Sequence, residues 1–239
     1  EDERVTKAAQ CGNYYILRFL CEQNDRNINE TTAKAAIQYG HVSCLKYVHS
    51  QGLPLRDTLV IYAAAFGSLL CLKYLHHNGL PFSVHAISEA VIGQHHECLV
   101  YMLQNRSPGL VSSNNVISSS CNIIAQSGKL GTLKIVLTYL PFPEIHEEIL
   151  TGAAEGGHLP ILRYCVDNKI QPADRIQSTM INSCARGGYL DCVEYLYSIG
   201  FVGDKSTLEA AARGGCVTCI RFLLEKGCPI SGNLCAILA

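Results

Sequence analysis

Thirteen cysteines and nine histidines in 239 residues invite a search for metal and nucleophile chemistry. One close pair stands out, Cys216-Val217-Thr218-Cys219. Two cysteines at that spacing could supply half of a structural zinc site, which closes around four ligands. A second pair of the same kind is missing from the chain. Cys216 falls in a turn and Cys219 on a core-facing helix side, so the pair reads as thiols and no metal or cofactor is expected. His49 and His76 occupy equivalent places in successive copies of a repeated unit, with His77 beside them. Stacked imidazoles could bind a metal or sense protonation, but a solvent-facing helix end carrying His accounts for them more simply. Glu147 and Glu148 lie near His146, yet adjacent residues of a helix point in different directions, and no acid–base geometry follows. Neither a Gly-x-Ser-x-Gly elbow nor a glycine-rich phosphate loop occurs. The chain therefore reads as no enzyme and predicts no small-molecule substrate. A basic row remains: Arg18, Lys46, Lys73, Lys134, Arg163 and Arg221, interrupted by Val100 and Glu194. Such a row could track a phosphate backbone. With a net charge of −1 and no aromatic interleaving in view, it reads as a solvated face, and nucleic acid is not an expected partner.

The elements that position these residues follow from a repeat. A turn position recurs at Gly12, Gly40, Gly67, Gln94, Gly128, Gly157, Gly188 and Gly215, at spacings of 27 to 34 residues. A near-constant period of this length marks a stacked repeat protein. Gln94 follows Gly93, which is taken to supply the flexible residue one place early. Small residues precede the turn, as in Ala8-Ala9, Ala63-Ala64, Ala153-Ala154, Cys184-Ala185 and Ala211-Ala212; they let helices approach closely. Thr31, Thr58, Ser119, Thr179 and Ser206, nine residues before the turn, suit the N-cap of a first helix. Five residues after the turn stand Leu17, Leu45, Leu72, Leu99, Leu133, Leu162, Val193 and Ile220. Two further on come Phe19, Tyr47, Tyr74, Tyr101, Tyr164, Tyr195 and Phe222, with Ile135 the exception. This spacing fits a 3.6-residue period. Gly52, Gly79, Gly200 and Gly227 then end the second helix, and Pro54, Pro81 and Pro229 forbid its continuation. Residues 105–120, rich in Ser and Asn, break the rhythm and predict a projecting loop. The middle of the array is its least regular part.

Cys44, Cys71, Cys98, Cys192 and Cys219 share one position, on the core side of the second helix, where a thiol acts as a small hydrophobe. An odd, repeat-locked set of thiols predicts a reducing compartment, cytoplasmic or nuclear. No apolar run approaches the ~18 residues of a membrane span, and no membrane partner is expected. The first residues read as helix interior and the last as half of another unit, so the expectation is a piece of a longer chain, one array over residues 1–239.

With these rows in view, the chain resembles the ankyrin-repeat family. Its central pattern, Ala-Ala-x-x-Gly-His/Tyr-x-x-x-Leu/Val-x-x-Leu, is matched at Ala153 to Gly157, Cys184 to Gly188 and Ala211 to Gly215. The short period and the Cys-Leu-Lys-Tyr-Leu-His stretch look like the divergent repeats of giant viruses and protists. Tetratricopeptide repeats, with a 34-residue period and other aromatic placement, compete less well. The resemblance implies an all-α helix-turn-helix solenoid of about eight repeats, with short loops in place of long hairpin fingers. It implies that His41, His95 and His158 brace loops. It also implies a non-catalytic scaffold that binds a protein partner through a concave face. The residues before each turn would line that face: Gln38 and Tyr39, Ala65 and Phe66, Gln126 and Ser127, Glu155, Arg186 and Arg213. Tyr39 and Phe66 would be apolar anchors, and Arg186 with Arg213 the charged complement. Two alternatives stay open, a structural subunit of a large assembly and a substrate-adaptor region of a regulatory protein.

Overall fold

The computed structural model describes residues 2–23, 28–107, 110, 115–140, 143–170 and 172–230. Among these residues the chain forms sixteen helices and no strand. The chain divides between Ile117 and Ser118 into two compact units. In the first, four helix pairs follow one another: α1 (Asp2–Gln10) with α2 (Tyr14–Gln23), α3 (Glu30–Gln38) with α4 (Val42–Ser50), α5 (Asp57–Ala65) with α6 (Leu69–His77), and α7 (Val84–Ile92) with α8 (His96–Gln104). The second holds α9 (Asn115–Gln126) with α10 (Leu130–Tyr139), α11 (Pro143–Gly156) with α12 (Leu159–Asp167), α13 (Asp174–Gly187) with α14 (Leu190–Ser198), and α15 (Lys205–Arg213) with α16 (Val217–Glu225). The all-α fold of eight helix-turn-helix repeats is thus the one expected from sequence.

Most of these helices have nine or ten residues, too few to persist alone in water. Packing in two layers holds them. First helices pack on first helices, α1 on α3, α3 on α5 and α5 on α7, and likewise α11 on α13 and α13 on α15. Second helices follow suit, from α2 to α8 and from α12 to α16. In the second unit α9 joins the first layer where Asn122 donates to the Glu148 carbonyl of α11 at 3.2 Å. The first layer is dense because it is built from small residues. Ala9, Ala63, Ala64, Ala153, Ala154, Ala185 and Ala211 have no exposed surface. A Cβ on Gly152 would collide with the Asn122 carbonyl, and one on Gly214 with the Arg186 carbonyl. The second layer contributes the larger apolar side chains, with Leu17, Leu45, Leu72, Leu99 and Leu133 wholly buried.

The joint within each pair has one geometry. All eight turn positions carry positive φ, between 57° at Gln94 and 77° at Gly40. The residue after each turn donates its N–H back to the helix, as His41 does to Ala36 at 2.8 Å and Cys216 to Ala211 at 3.1 Å. This is the Schellman arrangement, which satisfies helix-end carbonyls and favours glycine at its left-handed residue. Gly93 corrects the sequence reading. It stays right-handed at φ −72°, and Gln94 itself takes the left-handed turn. Gly93 is needed for a different reason: a Cβ there would lie 2.6 Å from the His95 ring.

Two other expectations shift. The first helices begin earlier than their Thr and Ser suggested. Asn29 caps α3 by accepting from Thr32 N–H at 3.1 Å, Ser83 caps α7 by accepting from Ala86, and Asp204 caps α15 by accepting from Ser206 and Thr207. Thr31 and Ser206 therefore sit one step inside, while Thr58 follows Asp57 inside α5, whose N-cap is Arg56. Ser119 and Thr179 lie well within α9 and α13, the longer helices of 12 and 14 residues. Acceptor side chains two residues upstream won because their oxygens reach the free N–H groups from outside the helix. The loop expected over 105–120 is shorter, because residues 115–120 belong to α9; residues 108, 109 and 111–114 lie outside the described residues, as does the half-unit expected at 231–239.

Replacing Gln94 by Gly relieves a left-handed non-glycine residue, which costs about 1–2 kcal/mol, offset in part by a freer unfolded chain. Gln94→Gly should raise stability by about 0.5–1 kcal/mol in urea melts, and Gly93→Ala should lower it by about 1–3 kcal/mol through overpacking. A melt unchanged by both would contradict this account of the turn.

Candidate functional site

The residues expected to face a partner cluster at the C-terminal ends of first helices, where the chain has just finished a buried helix and turns. In the first unit Gln38 closes α3, and Tyr39 and Phe66 are the C-caps of α3 and α5. Tyr39 is 49% exposed and Phe66 41%. Neither ring is loose. Gln10 Nε2 donates to the Tyr39 hydroxyl at 2.8 Å, and the Phe66 ring centre lies 4.7 Å from that of Tyr62. In the second unit the equivalent row is polar. Gln126 Nε2 donates to Glu155 Oε2 at 3.0 Å, Arg186 is exposed in the last turn of α13, and Arg213 pairs with Glu209 at 3.4 Å. Ala65 is only half-exposed.

Beneath this row runs a set of braces. At several turns the residue that follows reaches back to a carbonyl of the preceding pair. His41 Nε2 bonds the Gln10 carbonyl at 3.1 Å, His95 the Ala65 carbonyl at 2.9 Å and His158 the Gln126 carbonyl at 2.8 Å. Ser68 makes the same bridge to Ile37. The His41, His95 and His158 rings cover Gly12, Gly67 and Gly128, where a Cβ would collide with them, and the Tyr189 ring covers Gly157 likewise. These side chains brace the repeats, as the sequence resemblance implied, and so fix the spacing of the row above them.

On the outer face of the second helices the basic row is largely exposed, as a solvated face requires, but aromatics interleave with it. Lys46 lies over the Tyr74 ring at 5.7 Å, Lys73 over Tyr101 at 5.4 Å, Lys134 over Tyr164 at 5.0 Å and Arg163 over Tyr195 at 5.4 Å. Each cation covers an aromatic of the following repeat, an attraction between charge and ring quadrupole. Aromatic interleaving is therefore present. A sequence signal for it existed: the row breaks at Val100 and Glu194, one copy before Ile135 and Phe222, where no tyrosine follows. His49 and His76 belong to the same ladder and are half-buried, contrary to the solvent-facing expectation. His49 Nδ1 bonds the Tyr74 hydroxyl at 2.6 Å and His76 Nδ1 the Tyr101 hydroxyl at 2.9 Å. Burial, with a smaller contribution from His77, pushes His76 below its ordinary value of 6.5, while burial raises Tyr74 and Tyr101.

The thiol column lies in the core. Cys44, Cys71 and Cys219 have no exposed surface, and burial pushes Cys71 up to about 12 and Cys98 up to about 11. Such thiols stay protonated and pack as apolar groups. Among the described residues no group of three or more His, Cys, Asp or Glu could hold a metal ion. No helix there is long and apolar enough to cross a membrane. Grooves occur on the second-helix face, one of about 360 Å³ beside Lys73, Val100 and Tyr101, away from the Tyr39–Phe66 row.

Two outcomes check this arrangement. A double-mutant cycle on Lys73→Met and Tyr101→Leu should show a coupling of about 0.5–1 kcal/mol; a coupling of zero would mean that the cation–ring contact contributes nothing. For His76, the depressed value means that the fold favours neutral imidazole. Its contribution is present above pH 6.5 and is lost as pH falls through the lower folded value. The acid-induced drop in melting temperature should be smaller in His76→Gln, and an identical drop in both proteins would rule the linkage out.

Residues 150–196, which span α12 and α13 with parts of α11 and α14, match the family model described as ankyrin repeats (many copies). The crystal structure of the human ASB11 ankyrin repeat domain is similar at 19% identity, over 94% of this chain and 84% of that one, with a TM-score of 0.37. No curated protein matches the sequence. Residues 150–196 are thus similar to ankyrin repeats, and that segment shares its left-handed turn and its core rows with the other helix pairs.

Proposed function

We propose that this protein is a non-catalytic scaffold that binds a protein partner through the exposed row at the ends of its first helices. Ankyrin repeats generally mediate protein–protein interaction, and the finer assignment rests on one observation. Two large aromatic side chains, Tyr39 and Phe66, stand exposed at equivalent places in adjacent repeats, while Ile37, Ala63 and Ala64 of the same helix ends are buried. Aromatic side chains with few rotatable bonds dominate binding hot spots. Here Gln10 and Tyr62 hold them before any partner arrives, so little ordering cost remains. Gln38 extends this apolar site. In the second unit Gln126, Glu155, Arg186 and Arg213 present a polar row suited to charge complementarity, which governs specificity and encounter.

A reducing compartment, cytoplasmic or nuclear, fits the twelve described cysteines, all of which are free. A second reading is supported by a separate feature. Tyr15, Ile16 and Phe19 of α2 are 81%, 50% and 59% exposed, an apolar surface of the kind a subunit of a large assembly buries against its neighbour.

Affinity capture with the chain and with a Tyr39→Ala/Phe66→Ala/Arg186→Ala/Arg213→Ala variant separates these readings. A hot-spot aromatic is worth about 2 kcal/mol, roughly thirty-fold in affinity. The partner recovered by the native chain should be lost from the variant, whose melting curve should stay cooperative. Equal recovery would reject the row, and loss on Tyr15→Ser/Phe19→Ser instead would favour the assembly surface.

A further inference from the structure

The start of α16 sets Cys219 of the core column beside a second thiol, Cys216, that neither the column nor the exposed row explains. Cys216 is the N-cap of α16 and Cys219 lies in its first turn, so both side chains fall on one helix face. Their sulfurs are 2.8 Å apart. The Cys219 N–H donates to Cys216 Sγ at 3.3 Å, and the Thr218 hydroxyl lies 3.2 Å from the same sulfur. Cys216 is half-buried and open to solvent, while Cys219 has no exposed surface. In the other copies the brace position holds Asn13, His41, Ser68, His95, Lys129, His158 or Tyr189; here a sulfur takes that place and reaches the Gly188 carbonyl at 3.8 Å.

Reactivity divides between the two as well. Burial opposes ionisation of Cys216, but hydrogen bonds from Cys219, Thr218 and the helix N–H groups outweigh it and bring the thiol below its ordinary value. A helix N-terminus favours thiolate for the same reason. Burial, reinforced by the bond to Cys216, pushes Cys219 up to about 12.

We propose that Cys216 and Cys219 form an oxidisable dithiol that closes to a disulfide, with a small-molecule disulfide as electron acceptor. Cys216 thiolate attacks one acceptor sulfur, the acceptor S–S bond breaks, and one half leaves as a thiolate that takes a proton from water. Cys219 then loses its proton to solvent and attacks Cys216 Sγ, and the second half of the acceptor leaves as a thiol. Two cysteine thiols are oxidised, and one acceptor disulfide is reduced to two thiols. Closure ties the brace residue to its own helix and removes its thiol hydrogen from the Gly188 carbonyl, so oxidation acts on the joint between the last two helix pairs.

The sequence makes the test direct, because trypsin releases residues 214–221, between Arg213 and Arg221, with only these two cysteines. The folded protein is incubated with oxidised glutathione, acid-quenched, unfolded, alkylated and digested. Exposed, isolated Cys11 reports that the reagent acted, by gaining glutathione. The 214–221 peptide should be lighter by two hydrogens and carry no alkyl group, a change that dithiothreitol reverses. Peptides with Cys44, Cys71 and Cys98 should stay fully alkylated. In Cys216→Ser, checked for folding by circular dichroism, Cys219 should be alkylated completely. A native 214–221 peptide with both thiols alkylated would overturn the proposal, as would glutathione retained on Cys216 beside an alkylated Cys219.

Discussion

Each helix pair depends on a residue that must turn left-handed so that the next side chain can reach back into the pair before it. The positive φ at Gly12, Gly40, Gly67 and their equivalents places the following N–H on a helix-end carbonyl. It also aims the following side chain at the preceding repeat. Where that side chain is His41, His95 or His158, its ring covers a turn glycine and its Nε2 holds a carbonyl. One backbone conformation thus closes a helix and joins two repeats. Repeat arrays have few contacts beyond nearest neighbours, so stability has to be supplied at each joint in turn.

The outer layer solves the same problem by different means. Between its helices, long side chains reach from one repeat to the next. A cation from one repeat covers a tyrosine of the next, and in the first unit a histidine bonds the same tyrosine's hydroxyl. Tyr74 and Tyr101 are therefore held on the face and at the tip. The row coexists with a net charge of −1 because 20 Asp and Glu residues balance the 19 Lys and Arg residues of the chain.

Rigidity below leaves freedom above. Because the braces use backbone carbonyls at the helix ends, the side chains at those ends need not pack, and Tyr39 and Phe66 are exposed without weakening the joint. The same logic applies to Cys216. It stands where other repeats place a bracing histidine or serine, so a change in its chemistry reaches a joint directly.

The sequence by itself determined the helical period, the turn positions, the buried leucine and cysteine columns and the repeat number, because each rests on local spacing. It also located Gln38, Tyr39, Phe66, Gln126, Glu155, Arg186 and Arg213 at helix ends, through their fixed offset from the turn. The N-caps were misplaced because Thr31 and Ser206 are plausible caps by type, and only coordinates show that Asn29 and Asp204 reach the N–H groups first. Gln94 was misread for a related reason: composition favours Gly93 for a left-handed turn, while the position of the His95 ring decides otherwise. The tertiary structure alone decided what the basic row and the histidines do. Lys73 and Tyr101, or His76 and Tyr101, lie in different repeats; the breaks of the row at Val100 and Glu194 pointed to a link, but only stacking brings a charge, a ring and an imidazole to one place.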